Sequence, residues 1–329
     1  MRTQDDIATV LIEAASWAPS VHNTQPWWFG VRGSRLSVHA DLDRRLETAD
    51  PDGREMLISC GAALFNLRLA ARHLGHVPAV RLLPDPQRPG LLADVDLSGQ
   101  RPPTTVEERM FEQITTRRSH RGGFAPDPLP TALSSRLYAQ ARHEGATLRL
   151  VADPRAKLAL AALSEAGEQI QRLDPAYVAE VARWAPAPGR HRQDGVDPGA
   201  YPREPVHTDP YFAARDFARG MGWAHAGDEP DDLTGSVTGT VLMLMTSRDT
   251  PADRLTAGMA LQRILLCAAE DDVSAAFHTQ ALEIGELRAL IRSRFCGGAF
   301  PQILMRLGRA EGRRGGVRRP IADITRQEP

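Results

Sequence analysis

Two stretches of this chain, residues 52 to 84 and 253 to 278, follow one scheme: a long run on small residues, CGAALFNLRLAA in the first and AGMALQRILLCAA in the second, then an apolar strand. A weak internal repeat of this kind suggests a gene duplication, and with it two related halves. In the first run, Leu57, Cys60, Gly61, Leu64, Leu67 and Ala71 recur at helical spacing, so the helix offers a small-residue face that another helix can approach closely.

Around these two helices the pattern is that of an α+β protein. Ile7, Val10, Leu11, Ala14 and Ala15 make an opening amphipathic helix that stops at Pro19, and WWFGVRG and RLSVHAD alternate about Gly33-Ser34 as a β-hairpin. A helix over 52 to 74 is capped by Gly75, AVRLL and LLADVDL read as strands, and SGQRPPTT breaks all regular structure. Thr105-Val106-Glu107-Glu108 reads as a capping box, so a second beginning is expected there, with a helix running toward Arg117 and Arg118. Helical patterns follow at 130 to 143, 153 to 173 and 253 to 270 and over LEIGELRALIRSRF, and GTVLMLMTS, SAAFHT and PQILMRLG read as strands. The stretch WAPAPGRHRQDGVDPGAYPREPVHTDP carries no period, and a segment of that length inside a domain is usually a lid, a binding loop or disordered.

Charge and composition narrow the function classes. Forty basic against 41 acidic residues leave a formal charge of -1, so no global field draws the chain to nucleic acid or an anionic membrane, and small-molecule chemistry is expected. No apolar run nears the roughly 20 residues of a membrane span and the start MRTQDDIATV lacks a leader pattern, which predicts a cytoplasmic protein. Cys60, Cys267 and Cys296 are expected as reduced thiols, with Cys296 open to a second reading as a reactive one. The histidines show no metal-ligand spacing, neither a Walker nor a Rossmann glycine pattern occurs, and no residue stands out as a general acid or base.

Three segments carry chemistry. In Ala18-Pro19-Ser20-Val21-His22-Asn23-Thr24-Gln25-Pro26-Trp27 the prolines restrict the turn, leaving Ser20, Asn23 and Gln25 to meet a polar heterocycle. In Arg117-Arg118-Ser119-His120-Arg121, alternate residues of an extended segment point one way, so Arg117, Ser119 and Arg121 would form a phosphate cradle. The ending Arg313-Arg314-Gly315-Gly316-Val317-Arg318-Arg319-Pro320 would close over the same phosphate. Each also has a plain alternative: a turn, a solvated basic face and a basic tail.

Together these residues resemble the nitroreductase superfamily, and within it the fused Acg branch of FMN-binding proteins. A-P-S-x-x-N-x-Q-P-W is complete from Ala18 to Trp27; R-R-S-x-R is present from Arg117 to Arg121, with its aromatic, Phe124, one residue late; R-R-P is present as Arg318-Arg319-Pro320. The resemblance implies FMN as cofactor and a nitroreductase-like fold of two unequal halves, 1 to 103 and 104 to 329, forming a pseudo-dimer with a lid at about 184 to 235. The long helices 52 to 74 and 253 to 270 would meet at the pseudo-dimer interface, and the chain is expected to be a monomer. In ordinary members R-R-S-x-R precedes A-P-S-x-x-N; here the order is inverted, which implies one complete flavin site. Carried over, Pro19, Ser20, Val21 and Asn23 would contact the flavin, with Gln25 bracing the turn. Arg117, Ser119, Arg121, Arg318 and Arg319 would hold the phosphate, and His278, Thr279 and Gln280 would face the flavin edge. The implied activity is transfer of hydride or electrons from NAD(P)H through FMN to a nitroaromatic, quinone or similar acceptor. A closed lid favours the alternative of FMN storage, and a specialised FMN enzyme of secondary metabolism is the third reading.

Overall fold

The computed structural model describes residues 4–186, 192–200, 208–217, 236–310 and 316–328. In chain order the elements are α1 (Gln4–Ser16), β1 (Trp27–Arg32), β2 (Arg35–Ala40), α2 (Arg54–His73), β3 (His76–Leu82), β4 (Leu91–Gln100), α3 (Thr105–Glu112), α4 (Thr131–His143), β5 (Thr147–Leu150), α5 (Pro154–Arg172) and α6 (Pro175–Trp184). Then come β6 (Thr240–Thr246), α7 (Pro251–Ala269), β7 (Val273–Phe277), α8 (Gln280–Glu283), α9 (Gly285–Phe295), β8 (Phe300–Arg309), α10 (Ile321–Ile324) and β9 (Thr325–Gln327). The described helices and strands make an α+β fold in two compact units, one of residues 1–117, 249–270 and 318–329, the other of residues 118–248 and 271–317.

The first unit has a five-stranded sheet in the order β3-β4-β2-β1-β9, antiparallel except where β9 runs parallel to β1. The hairpin closes at Arg32 opposite Arg35, with Gly33 at φ +56° supplying the left-handed residue of the turn. Trp27, Phe29 and Val31 alternate into the core with Leu36 and Val38. The two helices of the internal repeat pack on each other: Gly61 of α2 faces the backbone of Leu255, and Gly258 of α7 faces that of Ile58. Between them lies a buried polar chain in which Gln262 donates to Asn66 Oδ1 at 2.7 Å and Asn66 donates to the Ala14 carbonyl at 2.9 Å. α2 ends as its sequence predicts, with Gly75 at φ +83° just beyond the last turn.

Helix α3 corrects the capping frame. Thr104 and Thr105 each have a Glu three residues on, and the structure uses Thr104: its hydroxyl accepts from Glu107 N at 3.3 Å and Glu107 accepts from Thr104 N at 2.7 Å. Contacts to α2 choose between the two frames, because Arg72 donates to Glu107 at 2.9 Å while Glu108 pairs with His73 at 2.8 Å. The helix also stops at Glu112, short of the arginines.

The second unit has an all-antiparallel sheet, β5-β6-β8-β7. Val241, Met243 and Leu304 of its central strands pack with Leu160, Phe212 and Ile291. Phe124 is buried against Gly239 and Gly308, where a Cβ would stand within 2.7 Å and 2.5 Å of the ring. The run LEIGELRALIRSRF, expected as one helix, is two: Ile284 is extended, and Glu283 just before it pairs with Arg215 in the interior. α6, β5 and β9 are elements the periodicity does not announce. Of the expected lid, residues 187–191, 201–207 and 218–235 lie outside the described residues, as do Arg313, Arg314 and Gly315. Residues 208–217 are described; Phe212, Ala213 and Phe217 are buried there. Among the described residues no helix is long and apolar enough to cross a membrane.

Candidate functional site

The Ala18–Trp27 segment is a strained bend. Val21 to Asn23 make one 3-10 turn, and His22, Asn23 and Gln25 stand at φ +47°, +52° and +49°. Left-handed non-glycine residues cost about 1–3 kcal/mol each, persist only where their surroundings over-determine them, and cluster at functional sites. The surroundings here are specific. Ser20 Oγ accepts from Gln25 N at 3.0 Å, closing the bend on itself, and Val21 N donates to Ser59 Oγ of α2 at 3.3 Å. Arg44 donates to the Thr24 carbonyl at 2.8 Å. Gln25 is fully buried, and its side-chain oxygen accepts from Arg319 N at 2.8 Å.

Two arginines meet beside the bend. Arg318 donates to the Trp17 carbonyl at 3.1 Å and to Asn23 Oδ1 at 3.4 Å, and Arg117, only 6% exposed, donates to the same Trp17 carbonyl at 3.4 Å. Two guanidinium groups held against one neutral oxygen repel each other, and a phosphate dianion beside them offsets that repulsion through charge-assisted, fork-shaped hydrogen bonds. The donor set therefore fits a phosphate monoester.

Arg319 is used otherwise than the resemblance implies. Its guanidinium donates to the carbonyls of Gln25 at 3.2 Å and Trp27 at 3.3 Å and pairs with Asp41 at 3.2 Å. Burial, with Arg44 nearby, lowers its pKa from the usual arginine value. It is a strut of the bend. Pro19, Ser20, Val21, Asn23, Gln25, Arg117, Arg318 and Arg319 thus all fall in the first unit.

Ser119, Arg121, His278, Thr279 and Gln280 fall in the second. Ser119 bridges Ala275 through the backbone, and Arg121 donates to the Ala200 carbonyl at 3.2 Å with its guanidinium 5.7 Å from the Phe217 ring. His278 is fully enclosed: Nδ1 lies 2.9 Å from the Ala213 carbonyl and Nε2 lies 2.7 Å from Arg306 Nε. That geometry requires a neutral ring protonated on Nδ1, and burial together with Arg306 holds its pKa well below the usual histidine value. Arg306 in turn is pushed down to about 10 by burial. Thr279 donates to Glu283 at 2.9 Å, while Gln280 donates to Ala213 O at 3.1 Å and to Glu168 at 3.3 Å. Glu283 is paired with Arg215, so these side chains belong to a buried polar network that pins residues 213–216. Arg215 keeps its charge there: burial is the largest influence and acts to lower its pKa, but Glu283, Tyr177 and Glu168 together hold it well above the usual arginine value.

Motif reading does not reach Ser59, Arg44 or Asp41, which hold the bend from outside it. Cys296, the thiol with a reactive reading, is buried, and burial pushes its pKa up to about 11.

No family model matches the chain. A Mycobacterium tuberculosis H37Rv protein named "Putative NAD(P)H nitroreductase" is 32% identical over 313 residues, covering 92% of this chain and 85% of the relative. The acg nitroreductase of the same strain is 29% identical over 323 residues, covering 97% and 95%. Among solved structures, the FMN-dependent nitroreductase NfnB of Mycobacterium smegmatis, in complex with NADPH, aligns over 68% of this chain and 98% of its own at a TM-score of 0.39 and 17% identity. A nitroreductase with bound FMN from Desulfitobacterium hafniense aligns over 67% and 98% at 0.40 and 14%. At such TM-scores the sequence relatives, and not the solved structures, make the assignment. By that kinship the chain belongs to the nitroreductase family.

Proposed function

We propose that this chain binds FMN and is an oxidoreductase of the nitroreductase type, using NAD(P)H as donor and a nitroaromatic, quinone or similar small molecule as acceptor. The observation that supports the reading most is the meeting of Arg117 and Arg318 on one carbonyl beside the strained bend. The names of the relatives support the nicotinamide donor. FMN, when bound, supplies the hydride chemistry. The chain's own residues bind and orient. Arg117 and Arg318 hold the phosphate, Asn23 steadies Arg318, and Pro19, Ser20 and Val21 present the bend to the flavin. Gln25 and Arg319 keep the bend in shape. Ser119, Arg121, His278, Thr279 and Gln280, which lie in the second unit, are candidates that the family resemblance implies, each tested by its own substitution. We also propose that the duplicated chain is a monomer, which light scattering in solution checks.

The test is titration of the purified protein with FMN and with riboflavin, which lacks only the phosphate. Each charge-assisted contact contributes about 1.5–3 kcal/mol net, so FMN should bind at least about tenfold more tightly than riboflavin. Arg318→Leu should remove most of that difference. A protein that takes up no FMN, or does not distinguish the two, overturns the proposal. Anaerobic addition of NADPH then separates turnover from storage: an enzyme's flavin band bleaches, and a store keeps its colour.

A further inference from the structure

We infer that Trp17 is the positioning residue of the phosphate grip, acting through Arg318; the inference rests on the function proposed above. Trp17 follows α1, its amide donating to the Ala14 carbonyl at 3.2 Å, so its own carbonyl lies at the helix C-terminus, where the helix dipole concentrates negative potential. That carbonyl is the acceptor shared by Arg117 and Arg318. The Arg318 guanidinium also stands 5.1 Å from the centre of the Trp17 ring, within cation–π range, with indole the strongest of the aromatic partners. One residue therefore offers two attractive surfaces, a carbonyl edge and a ring face, and both orient the same cation. Asn23 adds a third contact from the bend. The result is a pair of guanidinium groups set side by side before an anion arrives, which lowers the ordering cost of binding it.

The position of the cation, and not contact of the ring with the ligand, is what the indole supplies, so its loss should weaken phosphate binding selectively. The experiment uses the full chain and titrates FMN and riboflavin against the native protein, Trp17→Leu, Trp17→Phe, Arg318→Leu and the Trp17→Phe/Arg318→Leu double variant. Trp17→Leu should weaken FMN binding about tenfold and leave riboflavin binding unchanged, and Trp17→Phe, which keeps a weaker ring face, should lose about threefold for FMN alone. In the Arg318→Leu background, Trp17→Phe should have no further effect, because the ring then has no cation to hold. If Trp17→Leu does not fold, the Trp17→Phe cycle decides alone. Equal losses for FMN and riboflavin, native affinity in the Phe variant, or an undiminished effect without Arg318 each overturn the role of Trp17. A native protein that binds both flavins alike overturns the phosphate site itself, and this outcome is visible before any variant is made.

Discussion

Gly258→Ala should destabilise this protein although it replaces glycine by the best helix former inside a helix. In an open helix the exchange is worth about 1 kcal/mol in favour of alanine. At this position a Cβ would stand 2.0 Å from the carbonyl oxygen and 2.8 Å from the carbonyl carbon of Ile58, against an ordinary contact of 3.4–4 Å. The obstacle is backbone and cannot rotate away, so α7 must retreat from α2 by more than an ångström along a face that is buried on both helices. Overpacking of this kind costs about 1–3 kcal/mol, and lost dispersion along the seam adds to it, leaving a net loss of about 1–3 kcal/mol after the propensity gain. For a chain of this size, with an unfolding entropy of about 0.7 kcal/mol/K, that corresponds to a fall in melting temperature of roughly 1.5–4.5 °C. Gly61→Ala meets the Leu255 carbonyl oxygen at 2.2 Å and should behave alike. Once one alanine has parted the helices the second finds room, so the double variant should lose less than the two single losses together. Differential scanning calorimetry on the three variants measures this. A Gly258→Ala protein as stable as the native one, or more stable, would refute the close helix contact.

Three further perturbations follow from the buried polar groups. The folded pKa of His278 is depressed, chiefly by burial and then by Arg306, so the unfolded chain takes up the proton first; the stability it confers is complete above about pH 6.5 and is lost below it by up to about 1.4 kcal/mol per pH unit. Melting curves of native and His278→Gln proteins between pH 7 and 5 check this, and an equal acid loss in both would exclude His278. Arg215→Met strands Glu283, whose side chain is 1% exposed, and should cost about 3 kcal/mol, the low end for a broken buried pair because Thr279 and Gln171 still donate to it. Adding Glu283→Gln should restore part of the loss in urea unfolding, and no recovery would mean that the pair is not the cause. Glu328 accepts from Ser37 at 3.0 Å and pairs with His39 at 3.0 Å, so Glu328→Gln should speed hydrogen exchange in β9 more than it lowers the melting temperature. Unchanged protection of Thr325–Gln327 would argue that strand pairing alone holds the chain end.

Much of the fold is legible locally because its signals are local. Gly33 specifies a turn by its own freedom, the 3.6-residue period of Leu57 to Ala71 specifies a helix, and Val241 to Met245 read as a buried strand by their unbroken apolar run. What the chain hides is decided at long range. Three residues of β9 have no period to show, and they become a strand by pairing with β1, nearly the whole chain away. Ile284 is extended because Glu283 is fixed by Arg215, and Thr104 rather than Thr105 caps α3 because Arg72 reaches Glu107. The repeat itself is visible in sequence, though weak, and α7, the later helix, packs into the unit built mainly from the first part of the chain, since the partner for its small-residue face is α2.

The candidate site divides the same way. Arg117, Arg318 and Asn23 are recognisable because a phosphate grip needs guanidinium and amide side chains, and residue type shows them. The left-handed backbone at His22, Asn23 and Gln25 is not recognisable, because none of the three is glycine and the conformation is imposed by Ser59, Arg44 and Arg319 from elsewhere in the chain. Arg319 reads like its neighbour Arg318 until Asp41 and two carbonyls are seen to occupy it. Trp17 is the extreme case. It meets both cations through a backbone carbonyl, a group that every residue possesses, and its ring face meets Arg318, so its role is legible only once carbonyl and indole are seen together at the end of α1.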